Sequence, residues 1–213
     1  MEITWLGHSC FRITERNMSS VVADPYDHNE IGYEELKLKA DIVTISHDAS
    51  GHNNVKAVKG AKWEIDGPGE YEIGGVFITA IPTGEKGTSN GNRNIVFVYD
   101  YDGISVAHLG DIKTVPTRKQ VEAFGNVDIL LVPVGGGESL TAPKATEAIS
   151  LIEPGIVIPM HYKTPDGKVE LNPLDAFLKQ MGISQNLEVL PSFKVNKSGI
   201  PDETKVVTLA YQK

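Results

Sequence analysis

Two almost wholly apolar segments in the second half of the chain constrain its fold most strongly. Residues 127–134 (VDILLVPV) and 156–160 (IVIPM) have the composition of strands that are covered on both faces of a sheet. Between them, a helical pattern begins at Thr141 and ends at Pro154. Its apolar stripe comprises Ala145, Ala148, Ile149 and Ile152. A strand, a helix and a second strand in this order predict a right-handed parallel crossover.

The rest of the chain supplies further short strands and two more helices. We predict strands, each bounded by turn residues, over residues 3–6, 10–14, 20–23, 41–46, 62–65, 76–81, 94–101 and 104–107. The Lys/Glu-rich stretch just before residue 41 is a candidate helix. A Thr cap predicts a helix over residues 117–124, and Asn172-Pro173 starts another that stops at Gly182.

No internal repeat and no Pro/Ser-rich linker divides these segments, so we expect one domain over residues 1–213. Hydrophobic residues make up 40% of the chain and charged residues 23%, which is ordinary for a globular protein and excludes a disordered or fibrous one. A strand-rich first half and an alternating second half favour an α/β fold in which two packed sheets lie beneath outer helices.

The charge and the single cysteine exclude several classes of protein. A net charge of −8 and a pI near 5.2 argue against a nucleic-acid or anionic-membrane partner, because such binding needs a basic surface. Cys10 is the one cysteine, so an intramolecular disulfide and a cysteine-based zinc site are excluded. The N-terminal sequence lacks the character of a signal peptide, and no apolar run approaches the ~18 residues of a membrane span. We therefore expect a cytoplasmic protein.

Residues that bind metals follow three of the predicted strands. The segment DIVTIS runs into His47, with His52 five residues further on, GISVAHLG runs into Asp111, and GIVIPM runs into His161. Because open α/β sheets gather their sites beyond the carboxyl ends of strands, we expect these side chains to converge. Imidazole and carboxylate are ligands that zinc, iron and manganese accept when no thiolate is present. Their joint occurrence predicts a metal site, although any one of them alone also suits a structural hydrogen bond.

Motifs along the whole chain resemble those of the metallo-β-lactamase superfamily. They are WLGHSCFRI, VVADPY, DIVTISHDASGHNNV, DGPGEYEI, VFITAIPT, HLGD and VIPMHYKTP. More narrowly, they are similar to the branch of small Zn-dependent hydrolases that includes the ascorbate-6-phosphate lactonase-like proteins. The resemblance implies a four-layer αββα sandwich with a metal site along one edge of its paired sheets.

The chain departs from the histidine motif of that family, H-x-H-x-D-H. Here the motif reads HDASGH, in which His47 and His52 remain while Ala49 and Gly51 replace the second His and the Asp. Alanine and glycine offer no side-chain donor to a metal. In the family, the Asp at the position of Gly51 helps to orient the nucleophilic water, and this chain lacks it. The resemblance therefore implies an eroded site.

The remaining family positions are only partly retained. Asp111 matches the bridging Asp and His161 the last His, whereas the position of an intervening His is taken by Glu85. Two ions ~3.5–4 Å apart would have to share one Asp, so we expect one zinc ion or none rather than two. The candidate ligands are His52, His161 and Asp111, with His47 and Glu85 as possible additions.

These residues favour a weakly active Zn-dependent hydrolase of a small ester, lactone or phosphodiester, with Asp111 and His47 in catalytic roles. His47 would serve either as a ligand or as a proton carrier. The alternative is a non-catalytic descendant whose cleft binds a small molecule or a protein partner. A third hypothesis is a metal-free acid–base enzyme that uses His47, His52 and Asp111. No feature of the sequence indicates an oligomeric state.

Several other residues have both a structural and a functional interpretation. His8 and Asp24 match positions near the family's site but suit loop-holding hydrogen bonds equally well. His108 is either an outer partner of the site or simply buried. The run of glycines from Gly135 predicts a close backbone approach near the site, because the lysine of a phosphate-binding loop is missing. A buried structural thiol is the favoured interpretation of Cys10.

Overall fold

A computed structural model describes residues 1–84, 94–184 and 187–212. Up to residue 108, its elements are β1 (Glu2–Gly7), β2 (Cys10–Thr14), β3 (Val21–Ala23), α1 (His28–Ile31), β4 (Leu38–Lys39), β5 (Ile42–Thr44), a 3-10 helix (Val55–Ala57), β6 (Val58–Lys59), β7 (Trp63–Ile65), β8 (Gly69–Ile73), β9 (Val76–Pro82), β10 (Ile95–Tyr101) and β11 (Ile104–His108). The later elements are α2 (Arg118–Phe124), β12 (Ile129–Pro133), α3 (Ala142–Ile152), β13 (Ile156–Met160), α4 (Leu174–Gln180), β14 (Val189–Leu190), β15 (Phe193–Lys194), a 3-10 helix (Lys197–Gly199), β16 (Lys205–Val206) and β17 (Thr208–Leu209).

Two large sheets carry most of these strands. One sheet has the order β15-β1-β2-β3-β5-β7, and the other has the order β16-β13-β12-β11-β10-β9-β8. In the second sheet, Ile129 of β12 lies opposite Val106 of β11 and Ile156 of β13, and both pairings are parallel. The parallel pairing of β12 with β13 across α3 confirms the predicted crossover.

The two sheets pack face to face around one core. Trp5 and Phe11 of the first sheet share a hydrophobic cluster with Phe97 of the second. A buried hydrogen bond of 2.6 Å between Thr44 Oγ1 on β5 and the Tyr99 hydroxyl on β10 crosses between the sheets. Helices α2, α3 and α4 bury apolar side chains against the same core, so β12 is covered on both faces as its composition predicts.

The other face of the first sheet has a thinner cover. Val22 and Val43 on that sheet pack with Tyr26 and Ile31, which lie in the segment between β3 and β4 that contains α1. This layer and the helices on the second sheet complete the arrangement of two sheets between two outer layers. Among the described residues, no helix is both long and apolar enough to cross a membrane.

One predicted helix is wrong and several short strands were not predicted. Instead of a helix, the Lys/Glu-rich stretch contains β4, which pairs in parallel with β6. Leu36 in this stretch is buried with Val22 and Val43 of the first sheet, and this tertiary packing overrides the weak local preference for a helix. Strand β8 was missed because its sequence, GEYEI, is acidic and largely exposed at a sheet edge.

Candidate metal centre

Side chains that follow three strands, with one from a loop and one from a turn, converge in a single buried cluster. Asp24 follows β3, Asp111 lies three residues after β11, and His161 follows β13 directly. His52 belongs to the loop after β5, and His8 lies in the turn between β1 and β2. One donor atom from each of His8, His52, Asp111 and His161 lies within 4.8 Å of the others. The expected convergence of sequence-distant imidazoles with Asp111 is therefore present in the structure.

The backbone holds these side chains in unusual conformations. His8, Asp24 and His161 have φ values of 50°, 47° and 50°, in the left-handed region. Each such residue costs about 1–3 kcal/mol and persists only where surrounding contacts enforce it. The contacts at His161 include Gly135, where an added Cβ would collide with the His161 carbonyl and lie 2.8 Å from Tyr162 Cα. The first glycine of the run thus serves the close approach that its sequence predicts.

The inner atoms of the cluster have the spacing of metal ligands. Asp111 Oδ2 lies 3.1 Å from His52 Nε2 and 3.4 Å from His161 Nε2. Ligands at ~2.0–2.1 Å around a tetrahedral ion are separated by about 3.4 Å. Asp111 Oδ1 is buried and has no hydrogen-bond partner among the described residues, which leaves its negative charge incompletely satisfied. Both features fit a bound cation.

Outer partners orient the two central imidazoles. His52 Nδ1 lies 2.8 Å from Asp24 Oδ2, and His161 Nδ1 lies 2.9 Å from Ser139 Oγ. Because a metal-bound histidine commonly donates its other nitrogen to such a partner, both Nε2 atoms are presented inwards for coordination. Asp24 is itself held by the Ser46 amide at 2.8 Å and the Ser46 hydroxyl at 2.6 Å.

The electrostatics of the cluster's own side chains place a proton on one histidine. Burial disfavours the charged form of His52, but Asp111 and Asp24 outweigh burial and raise its pKa to about 10. Burial favours a neutral Asp111, yet His52 and His161 lower its pKa well below the usual range. Burial lowers the pKa of His8 and of His161, so both stay neutral with an electron pair available. A cation bound between the carboxylate and the imidazoles would replace the proton of His52.

Comparison with known proteins assigns the family. Residues 2–161 match the model described as the beta-lactamase superfamily domain. This chain belongs to the metallo-β-lactamase superfamily. Its sequence is 37% identical to that of a proposed Zn-dependent hydrolase of that superfamily from Thermotoga maritima, whose crystal structure is known. The two structures have a TM-score of 0.78, and the match covers 98% of this chain and 97% of the other. The two-sheet architecture is thus the expected metallo-β-lactamase fold, the αββα sandwich.

Two curated relatives match this chain over most of the length of both proteins. It is 32% identical to a UPF0173 protein of Pyrococcus abyssi, over 78% of this chain and 86% of the relative. It is 28% identical to a UPF0173 metal-dependent hydrolase of Thermoplasma acidophilum, over 78% and 85% of the two chains. Igni18 of Ignicoccus hospitalis, at 20% identity and a TM-score of 0.68, shares the fold.

The predicted site residues of this chain lie at different depths. His52, Asp111 and His161 lie in the buried cluster, whereas His47 lies at its mouth with 22% of its side chain exposed and Nε2 4.0 Å from Asp111 Oδ2. Glu85 lies outside the described residues, so its predicted role as a ligand stays a prediction.

Two residues at the centre were not favoured by the sequence argument. His8 contributes a ring to the cluster, and Asp24 is the outer partner of His52. Both follow the end of a strand, which is the same signal that singled out His161. His108 has a positioning role, because its Nε2 donates to the Ser9 carbonyl at 2.8 Å and its Nδ1 accepts from the Gly110 amide at 3.1 Å. It thereby holds the turn that leads to Asp111.

Proposed function

We propose that this protein is a metal-dependent hydrolase of a small ester, lactone or phosphodiester that uses one divalent ion, zinc in the first instance. The observation that carries the proposal is the spacing of His52 Nε2, His161 Nε2 and Asp111 Oδ2. The Thermoplasma relative is named a metal-dependent hydrolase, and the Thermotoga protein is described as a proposed Zn-dependent one. The lack of side-chain donors at Ala49 and Gly51 supports a single ion over two.

Each residue of the centre has a distinct task in this proposal. His52 and His161 would hold the ion through Nε2, because Asp24 and Ser139 occupy their Nδ1 atoms. Asp111 supplies the negative charge that balances the ion. A divalent ion held by these residues would supply Lewis-acid chemistry, which polarises the carbonyl or phosphoryl oxygen of a substrate and makes water nucleophilic near neutral pH.

His47 is the group placed to move a proton. The Ser46 hydroxyl has one proton, which it donates to Asp24 at 2.6 Å, so it accepts from His47 Nδ1 at 3.0 Å. In the neutral ring that hydrogen bond places the proton on Nδ1 and leaves Nε2, which lies 4.0 Å from Asp111 Oδ2, unprotonated. Burial and the neighbouring His52 lower the pKa of His47, which keeps this nitrogen unprotonated at neutral pH. His47 can therefore accept a proton from the attacking water and release it to solvent.

Metal content and hydrolysis together test the proposal. The protein is loaded with zinc, dialysed, and assayed by elemental analysis and with a generic phosphodiester, an aryl ester and a lactone. We expect about one ion per chain and slow hydrolysis that stops when a chelator removes the ion. His161→Ala and Asp111→Asn should lose both properties, whereas His28→Asn, a substitution on α1 away from the cluster, should keep them.

Two results would overturn the proposal and select another hypothesis. A chain that retains no metal and hydrolyses none of the substrates would favour a non-catalytic binding protein. Hydrolysis that survives chelation but is lost in His47→Ala would favour metal-free acid–base chemistry.

A further inference from the structure

Steric crowding, and not backbone conformation, explains why position 51 is a glycine. The φ of Gly51 lies outside the left-handed region, so its backbone conformation suits any L-residue. A Cβ at this position would lie 2.7 Å from His8 Nε2 and 3.1 Å from His8 Cδ2. Real Cβ atoms essentially never approach this closely, so a side chain at position 51 and the observed His8 ring exclude each other.

The His8 ring that fills this space is held firmly against the metal centre. The backbone carbonyl of His8 accepts hydrogen bonds from the Trp5 indole at 3.0 Å and from the His161 amide at 3.1 Å. Its ring centroid lies 4.3 Å from that of His161 and 5.1 Å from that of His52. Only 4% of His8 is exposed, so its imidazole faces the cluster rather than solvent.

The geometry points to His8 as a fourth protein ligand of the proposed ion, with Gly51 present because it leaves room for the His8 ring. The resulting donor set is three imidazoles and one carboxylate, drawn from His8, His52, His161 and Asp111. An imidazole from the first turn of the chain thereby supplies a donor where the loop after β5 offers none at positions 49 and 51. This inference rests on the metal site of the proposed function.

Metal affinity of the full chain, measured by competition with a chromophoric chelator, tests the inference without any assay of activity. His8→Asn is the first variant, because asparagine tolerates the left-handed backbone conformation of position 8. We expect it to bind zinc more than about 100-fold more weakly, since loss of an outer partner alone costs only ~10–100-fold. The absorption spectrum of the Co²⁺-loaded protein should also change, because one nitrogen donor is lost.

Substitutions at position 51 provide the second arm. Gly51→Ala should displace the His8 ring and weaken zinc binding, but it should add little to His8→Asn in the double variant because the ring is already gone. His8→Asn combined with Gly51→Asp should recover at least about tenfold of the lost affinity, since the new carboxylate enters the vacated space. Gly199→Ala is the matched control, because its Cβ meets nothing closer than 3.4 Å.

The outcomes separate this inference from the proposed function. If the native chain binds zinc and His8→Asn and Gly51→Ala bind it within about tenfold as tightly, His8 is not a ligand and the inference fails alone. If the native chain does not bind zinc at all, the proposed function fails with it. Should His8→Asn fail to fold by circular dichroism, the zinc affinity of Gly51→Ala compared with that of Gly199→Ala decides the question, and equal affinities overturn the inference.

Discussion

His52 Nδ1 lies 2.8 Å from Asp24 Oδ2, while Nε2 of the same ring lies 3.1 Å from Asp111 Oδ2. One imidazole is thus fixed between two buried carboxylates that come from different sheets, Asp24 after β3 and Asp111 after β11. Because the ring cannot turn without losing both contacts, its inward nitrogen is oriented before any ion arrives. Orientation of this kind lowers the entropic cost of coordination.

Asp24→Asn should weaken metal binding although residue 24 does not touch the ion. We expect a loss of about 10–100-fold in zinc affinity, because the amide orients His52 less well than the carboxylate does. The free energy of unfolding should also fall by about 1–3 kcal/mol, since the amide accepts the hydrogen bonds from Ser46 less effectively. Chelator competition and urea denaturation measure the two effects. Unchanged zinc affinity would show that Asp24 has only a structural role.

Gly110→Ala should destabilise the protein more than Gly103→Ala, and the difference should measure crowding beside Asp111. Both glycines have positive φ, 57° and 80°, so both substitutions carry a backbone cost of about 1–2 kcal/mol. A Cβ at Gly110 would also collide with Asn94 Oδ1 and lie 2.6 Å from Ser46 Cβ, whereas one at Gly103, in the turn between β10 and β11, meets nothing within 4 Å. Urea denaturation should show at least about 1 kcal/mol of additional loss for Gly110→Ala. Equal losses would contradict the crowding shown by the structure.

Tyr99→Phe should reduce stability without changing zinc affinity. The substitution leaves the buried Thr44 hydroxyl without its partner on the opposite sheet, which costs about 1–3 kcal/mol. The double variant Tyr99→Phe/Thr44→Val should be less destabilised than the sum of the single changes, because no polar group is then left unpaired. A thermodynamic double-mutant cycle measures this coupling. Strictly additive losses would show that the hydrogen bond contributes nothing.

Zinc should stabilise the folded chain in proportion to its binding. At a free zinc concentration 100 times Kd, the free energy of unfolding should rise by about 2.7 kcal/mol. For a chain of 213 residues, that corresponds to an increase in Tm of roughly 5–11 °C. Calorimetry with and without zinc measures the shift, and Asp111→Asn at the same zinc concentration is the control. An equal shift in that variant would indicate that zinc binds elsewhere.

Much of the second half of the fold could be predicted from local patterns. The apolar runs that became β12 and β13 each span five residues of strand and are buried throughout, so their composition reported burial on both faces. The stripe of α3 likewise matches the residues that face the core. The short strands β14 to β17 could not be predicted, because two-residue pairings have no periodicity and form only when tertiary packing brings their partners together.

The sequence by itself determined which residue types could form the centre. His47, His52, Asp111 and His161 were found because each follows a buried strand, and strand ends are visible in a linear pattern. Only the tertiary structure decided that His8 enters the cluster, that Asp24 holds His52, and that His47 stays at the mouth. The physical reason is that coordination depends on distances of about 3 Å between side chains whose relative positions are set by the packing of two sheets. In the sequence, Gly51 indicates only a missing ligand, whereas the structure shows that a side chain at position 51 would collide with the His8 ring.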